Sequence, residues 1–411
     1  MDVSDRFGLL YEDGAAAQKE RAQRLTDGFS NAFGHMPSAC VSAPGRSEII
    51  GNHTDHQNGC VVAAAIDADI MAVCSPRNDG IIRIVSEGYG EISLDVSDDD
   101  VHRAEAGTSA ALVRGTAKGL RDRGLKAGGF EAFIDSRVDA GSGLSSSAAF
   151  ENLCCGIYDH LFNSGDLGAV ETALTSRFAE NVYFMKPCGL EDQLASALGG
   201  ISYIDFRESL SPECEALKTD FSRFGYSLII TNTGGSHADL TDDYAAITRE
   251  MYAVAGYFGE ASLRRVREED FYSSLGKLRE LYGDRAVLRA HHFFTENRRP
   301  ALALERLKEG DMPGFITLLN ESGDSSSMYL QNLYSPSDPS SQRLNTALVA
   351  ARRLLAGRGS ARVHGGGFAG TVACVVPEDL SGRLIETMDG IFGPGSAREY
   401  RIRKYGVFRL F

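Results

Sequence analysis

The chain is 411 residues long and nowhere carries a block of about five like charges, although 56 acidic against 42 basic residues leave a net charge of −14. An acidic balance without basic patches argues against a nucleic-acid surface and for a soluble protein of the cytoplasm. No apolar stretch approaches the roughly 18 residues of a membrane span. The opening MDVSDRFGLLYEDG has neither the basic flank nor the apolar centre of a signal peptide, so export and membrane association are disfavoured. The eight cysteines, at 40, 60, 74, 154, 155, 188, 214 and 374, make no C-x-x-C pair, and several lie in apolar runs, which predicts reduced, mostly buried thiols. Internal repeats and low-complexity tracts are also missing.

What is there is ample core material, with 43% hydrophobic residues, in a length that favours two or three domains over one. The spacing of apolar residues predicts a helix over 11–35, a strand 38–46 entering a turn at Pro44-Gly45, strands at about 60–75 and 80–87, and a helix over 107–124. A strand over 128–139 runs into the Gly/Ser cluster 141–147, which opens a helix with apolar residues at 150, 153, 154, 157 and 161. Another helix covers about 168–185, strands follow at 199–206 and 225–234, 240–308 reads as mostly helical, and a helix at 342–357 precedes the strand TVACVV. A domain boundary is expected near 205, dividing the chain into 1–205 and 206–411.

Between Ile49-Ile50 and the apolar run CVVAAAI stand seven consecutive polar side chains, Asn52 to Asn58. This polar knot is either a turn tip facing water or the lining of a site for something rich in hydroxyls. His53, Asp55 and His56 also admit a metal reading, although three ligands within four residues crowd one ion and the spacing is not H-E-x-x-H.

Other stretches carry chemistry of their own. DAGSGLSSSAAFE (139–151) lies at a strand-to-helix junction, where unpaired N–H groups and the helix dipole favour an anion, and phosphate is the natural guest. No Lys follows its glycines as a P-loop requires, and an N-cap serine run after a flexible turn is the plainer alternative. HGGGFAGTVACVV (364–376) is a glycine loop before a strand, the reverse of the dinucleotide fingerprint; it implies close backbone approach to a ligand or to a neighbouring helix. In FAENVYFMKPCGLEDQLASALGG (178–200), Glu180 sits on a helix and Asp192 follows the Pro187-Cys188-Gly189 break, which aims it into a cleft or leaves it a helix cap.

Together and in this order these stretches resemble the galactokinases of the GHMP small-molecule kinase superfamily. The signature G-R-x-N-x-I-G-E-H-x-D-Y-x-x-G stands here as GRSEIIGNHTDHQNG, and the P-x-G-x-G-L-S-S-S-A loop as DAGSGLSSSAAFE, with Asp139 or Ala140 at the usual Pro. G-G-G-F-G-G stands as GGGFAG with Ala369 for Gly, and P-C-G-I-x-D-Q as PCGLEDQ. TNTGGSHADLTDDY resembles the T-N-S-x-x-x-H-x-L-x-x-x-x-Y stretch.

The resemblance implies an α+β, two-domain GHMP kinase fold with its active site in the inter-domain cleft, and an ATP-dependent sugar 1-kinase acting as a monomer. It implies that Gly141, Gly143, Ser145, Ser146 and Ser147, with Gly366 and Gly367, bind ATP, and that Ser147 and Glu180 hold Mg²⁺. Asp192 would take or orient the proton of the anomeric hydroxyl, and Arg46 would offset negative charge. Asn52, His53, Asp55, Gly189 and Tyr244 would bind the sugar, which gives the polar knot its purpose. Two departures bear on the substrate: Asn52 replaces the signature's Glu, which contacts the sugar, and His56 its Tyr. A non-catalytic sugar sensor and a kinase of another small alcohol are the competing readings; the intact serine loop speaks against the first and PCGLEDQ against the second.

Overall fold

The computed structural model describes residues 3–88, 90–139, 143–235 and 240–411. Strands β1 (Ala39–Ile50) and β2 (Cys60–Pro76) form a long antiparallel hairpin with the polar knot at its tip. They are followed by β3 (Ile81–Ser86), β4 (Gly90–Asp95), β5 (Phe130–Ser136), β6 (Ile201–Asp205) and β7 (Glu213–Leu217). A second sheet takes β8 (Tyr226–Asn232), β9 (Ser360–His364), β10 (Thr371–Pro377) and β11 (Ala397–Tyr400), and the last strand, β12 (Phe408–Arg409), returns to β1. Among the described residues the first sheet runs β12-β1-β2-β5-β3-β4, with β6 beside the first half of β2 and β7 beyond it. The second runs β11-β8-β10-β9, and the one parallel pairing among the described residues is β3 with β5.

The apolar runs of β2 on either side of Asp67 and Asp69 mark a strand buried on both faces over most of its length. Met71 and Val73 pack with Leu25 and Phe29 of the helix Ala15–Phe33, while Ile70 and Ala72 face the core with Leu153 and Ile157 of the helix Ser146–Phe162. That main core continues into the second sheet through Leu228, Ile230, Ala373 and Val375. The other face of the second sheet packs on helices Arg343–Leu355 and Glu378–Phe392.

A buried carboxylate, Asp69, interrupts β2. Arg21, Arg403 and Tyr11 meet it at 2.5, 2.9 and 2.5 Å, tying the first helices and the chain's end to the central hairpin. Burial works to raise the Asp69 pKa, but the two guanidinium charges hold it below its ordinary value. Leaving either charge unpaired here costs about 3–5 kcal/mol.

Several elements differ from their sequence expectation. The helix expected over 11–35 runs Ala15–Phe33, and a further helix, Val3–Tyr11, precedes it across a turn at Glu12–Gly14. Pro44-Gly45 is no turn: β1 continues through it with a register shift between Pro44 and Arg46, and a second shift lies between Glu48 and Ile50. Such bulges re-aim side chains. The first one lets the Arg46 N–H donate to the Leu144 carbonyl at 3.1 Å, fastening β1 to the serine loop. The expected helix 168–185 stops at Phe178 and opens into a wide π-type turn, Ala179–Tyr183. Cys188 and Cys214 are half-buried and the other cysteines buried, all as free thiols. No helix among the described residues is long and apolar enough to cross a membrane.

Candidate active site

Gly141 lies outside the described residues. At Gly143 the backbone has φ +76°, and a Cβ there would stand 2.8 Å from Thr371 Oγ1 and 3.3 Å from His364 Nδ1, so the loop needs glycine for both reasons. Ser145 is left-handed as well, at φ +58°, and its side chain does not cap the helix that Ser146 begins. The N-cap explanation of the serine run is therefore not met, because the Ser145 hydroxyl donates instead to Asp192 Oδ2 at 2.6 Å.

Asp192 gathers the neighbouring elements. Arg46 Nε donates to its Oδ1 at 2.6 Å while Nη1 donates to the Gly143 carbonyl at 2.5 Å, so one guanidinium holds both the carboxylate and the loop. Burial acts to raise the Asp192 pKa, but Arg46, with the Ser145 bond, keeps it below the ordinary carboxylate value. Its side chain remains 36% exposed, enough to meet a ligand.

Ser147 Oγ donates to Glu180 Oε1 at 3.0 Å. Glu180 is 2% exposed and sits in the wide turn that Phe184 closes by donating to the Ala179 carbonyl at 3.0 Å; breaks of this kind recur at functional sites. Lys186 Nζ donates to the same Glu180 oxygen at 2.9 Å, and Gln193 Nε2 to the other at 2.7 Å. Behind them stands Glu151, fully buried, whose carboxyl burial pushes well above its ordinary value, with the Glu180 charge adding to the shift. A hydroxyl and a carboxylate oxygen 3.0 Å apart are the hard donors that Mg²⁺ accepts when phosphate oxygens complete its shell. Among the described residues no three His, Cys, Asp or Glu side chains converge on one point, so His53, Asp55 and His56 do not form a transition-metal set.

In the polar knot His53 adopts φ +58° and its Nε2 donates to the Gly366 carbonyl at 3.0 Å. Asp55 lies against Gly189: a Cβ on Gly189 would stand 2.3 Å from Asp55 Oδ2. Tyr244 OH donates to the Gly367 carbonyl at 2.9 Å. Close packing accounts for both glycines, since a Cβ on Gly366 would stand 2.5 Å from the Tyr244 ring and one on Gly367 2.2 Å from the Asn332 carbonyl oxygen. His53, Asp55, Gly189, Tyr244, Gly366 and Gly367 are thus linked around the knot, and Gly143, Ser145, Ser147, Glu180, Arg46 and Asp192 around the serine loop. His364 bridges the two regions, with Nδ1 at 2.8 Å from Thr371 Oγ1 and Nε2 at 3.1 Å from Ser47 Oγ.

Asn52 departs from its expectation. It has no exposed surface, and its amide is spent within the protein: Nδ2 donates to Glu48 at 3.1 Å and to the Gly365 carbonyl at 2.7 Å, while Oδ1 accepts from Asn332 at 2.9 Å and Ser326 at 3.3 Å. With four hydrogen-bonding positions filled, its side chain supports the loop and has nothing left for a sugar hydroxyl.

Sequence reasoning also missed groups that hold these residues. Gln193 and Glu151 stand inside quoted motifs. Glu296 and His292, one helical turn apart on the helix Asp284–Glu296, grip the knot's backbone: Glu296 Oε1 accepts from the N–H groups of Gly51 and Asn52 at 3.0 and 3.3 Å, and His292 Nε2 donates to the Asn52 carbonyl at 2.9 Å. No local pattern marks them. Beside Ser146 and Ser147 opens a cavity of about 420 Å³ lined by Ile84, Ile92, Leu112, Ile134, Phe150 and Phe184, apolar and large enough for a flat ring system.

Residues 27–76 match the galactokinase galactose-binding signature and residues 111–200 the N-terminal domain of the GHMP kinases. The fold is similar to that of Lactococcus lactis galactokinase, solved in complex with galactose, at a TM-score of 0.79 and 24% identity over 94% of this chain and 99% of that one. It is also similar to Methanococcus jannaschii mevalonate kinase, at 0.60 and 14% over 89% and 97%. Streptococcus pneumoniae phosphomevalonate kinase, solved with phosphomevalonate and AMPPNP, follows at 0.57 and 11% over 88% and 99%.

Proposed function

We propose that this chain, which matches the galactokinase galactose-binding signature over residues 27–76 and the GHMP kinase N-terminal domain over residues 111–200, is an ATP-dependent sugar 1-kinase that phosphorylates the anomeric hydroxyl of galactose or a close relative. The observation that carries the reading is Asp192, bonded at once to Arg46 and to Ser145 of the serine loop. A charged carboxylate at the mouth of a phosphate-binding loop suits transfer of a phosphoryl group to a hydroxyl, where positioning and charge do most of the work.

In this reading Asp192 orients the anomeric hydroxyl and takes its proton as the sugar oxygen bonds to the terminal phosphorus and the bond from that phosphorus to the bridging oxygen breaks, releasing ADP. Arg46 keeps that carboxylate aimed and offsets the negative charge that gathers around it. His53 and Asp55, with Tyr244 and the close approach at Gly189, bind the sugar hydroxyls. Gly143, Ser145, Ser146 and Ser147 receive the phosphates of ATP, Gly366 and Gly367 brace the wall opposite, and the 420 Å³ apolar cavity takes the adenine. Ser147 and Glu180 would hold Mg²⁺, which when bound neutralises charge on the phosphate oxygens. The division into units 1–205 and 206–411, with the reaction in the cleft between them, belongs to the same proposal.

The reading is tested by coupled ADP release across galactose, N-acetylgalactosamine, arabinose, glucose and fucose. Sugar-dependent ADP release for at least one of them is expected. ADP release that no sugar stimulates would overturn the proposal.

A further inference from the structure

The signature that the first hairpin resembles has Asn two places after its Arg and Glu four places later; this chain has Glu48 and Asn52, the same two residue types in the opposite order. The structure brings them into contact. Asn52 Nδ2 donates to Glu48 Oε1 at 3.1 Å and Oε2 at 3.3 Å. Both are buried, Glu48 at 5% and Asn52 at 0% exposure.

Each also fixes something different. The Glu48 carboxylate accepts from Arg362 Nη2 at 2.5 Å, and Arg362 Nη1 donates to the Ile49 carbonyl at 2.6 Å, so an arginine of β9 clamps the bulged end of β1. Asn52 joins the knot to the glycine loop through Gly365 and to the segment after helix Met312–Ser325 through Ser326 and Asn332. His53 and Asp55 follow within three residues.

We propose that Glu48 and Asn52 act as one unit, an amide–carboxylate pair in inverted order that positions His53 and Asp55 for the substrate and places the pair's negative charge on strand β1, against Arg362. Inverting the order keeps the net charge of the two positions and one amide to donate to one carboxylate. It changes which side chain carries that charge, and hence which neighbour compensates it: here it is Arg362. The Glu48 charge acts on Arg46, Asp55 and Glu191, so its location bears on the groups around the cleft.

A single reversion is expected to fail. Asn52→Glu would set two buried carboxylates within hydrogen-bonding distance, where one must take a proton, and would remove the donor to the Gly365 carbonyl. Glu48→Asn would leave two amides and take the carboxylate from the buried Arg362. The double change restores one amide and one carboxylate and so their mutual hydrogen bond, though not the donor to Gly365 or the carboxylate facing Arg362.

The positioning role rests on the proposed sugar-kinase reading, whereas the pairing does not, and the experiment separates the two. Thermal midpoints without ligand, and KM for sugar and for ATP, are measured for wild type, Glu48→Asn, Asn52→Glu and the double variant. Each single change is expected to lower the midpoint and raise the sugar KM by about tenfold or more while ATP KM moves by about twofold or less; the double variant should be clearly less impaired in both than the two single losses combined, because the mutual bond returns while the Arg362 and Gly365 contacts do not. A folded double variant from singles that do not fold would support the pairing equally. Losses that simply accumulate in the double variant would overturn it. Coupled midpoints with an unchanged sugar KM in the single variants would overturn the positioning role, and a wild type inactive on every sugar would count against the kinase reading while the ligand-free cycle still decides the pairing.

Discussion

Arg46 and Asp192, 146 positions apart in the chain, form an ion pair with Nε and Oδ1 2.6 Å apart, and through it the hairpin signature meets the PCGLEDQ stretch. Ser145 completes the arrangement from the serine loop. Asp192→Asn keeps the shape of this junction and removes the charge. Turnover is expected to fall by about a hundredfold or more, with sugar KM changing far less. Steady-state kinetics on the purified variant check this, and turnover above about a tenth of wild type would contradict the role given to Asp192.

Ser147 and Glu180 share a hydrogen bond in which each contributes an oxygen of the kind a hard cation takes. Ser147→Ala and Glu180→Gln should each raise the Mg²⁺ concentration for half-maximal activity by about tenfold, and a chelator should abolish activity reversibly. A Mg²⁺ titration of the variants reads this directly.

Gly189 has no room for a Cβ because Asp55 Oδ2 lies 2.3 Å from where it would stand. Gly189→Ala must therefore displace Asp55. Sugar KM should rise by about tenfold while the thermal midpoint and ATP KM stay close to wild type. A variant that loses stability and ATP affinity in parallel would show that the glycine serves the fold and not the substrate.

His292 and His364 are buried and uncharged: burial pushes their pKa values down from 6.5 to about 4 and about 3. Between those values and 6.5 the unfolded chain binds protons at these rings that the folded chain does not, so stability falls as pH falls through this window. Each fully buried ring contributes a slope of about 1.4 kcal/mol per pH unit. Denaturant unfolding from pH 7 to pH 5 should show the loss, and His364→Gln should make the slope shallower by about one proton's worth.

Much of this was legible in the sequence, for definite physical reasons. The helix Ser146–Phe162 and strand β2 were readable because an apolar period, or its absence, reports which faces are buried. The serine loop, Glu180, Asp192 and Arg46 stood in recognisable stretches. Sequence reading failed where long-range contacts decide the outcome. Pro44-Gly45 reads locally as a turn, yet pairing with β2 and the Leu144 carbonyl hold it as a bulge. The short strands β4, β7, β9, β11 and β12 and the helices Met312–Ser325 and Glu378–Phe392 were not read at all. Asn52 is expected as a ligand group because it stands where the signature has its Glu; Gly365, Ser326 and Asn332, which bond its amide, lie more than 250 positions away.

The proposed reaction transfers the terminal phosphate of ATP to the anomeric oxygen of galactose or a close relative. The most direct measurement incubates the enzyme with ATP, Mg²⁺ and galactose and observes the product by phosphorus NMR, with Asp192→Asn as the control. The account predicts a sugar phosphate whose phosphorus couples to the proton on C1, formed with one equivalent of ADP and nearly absent with the variant. Phosphate on any other carbon, or a wild type that releases ADP without a sugar phosphate, would contradict it.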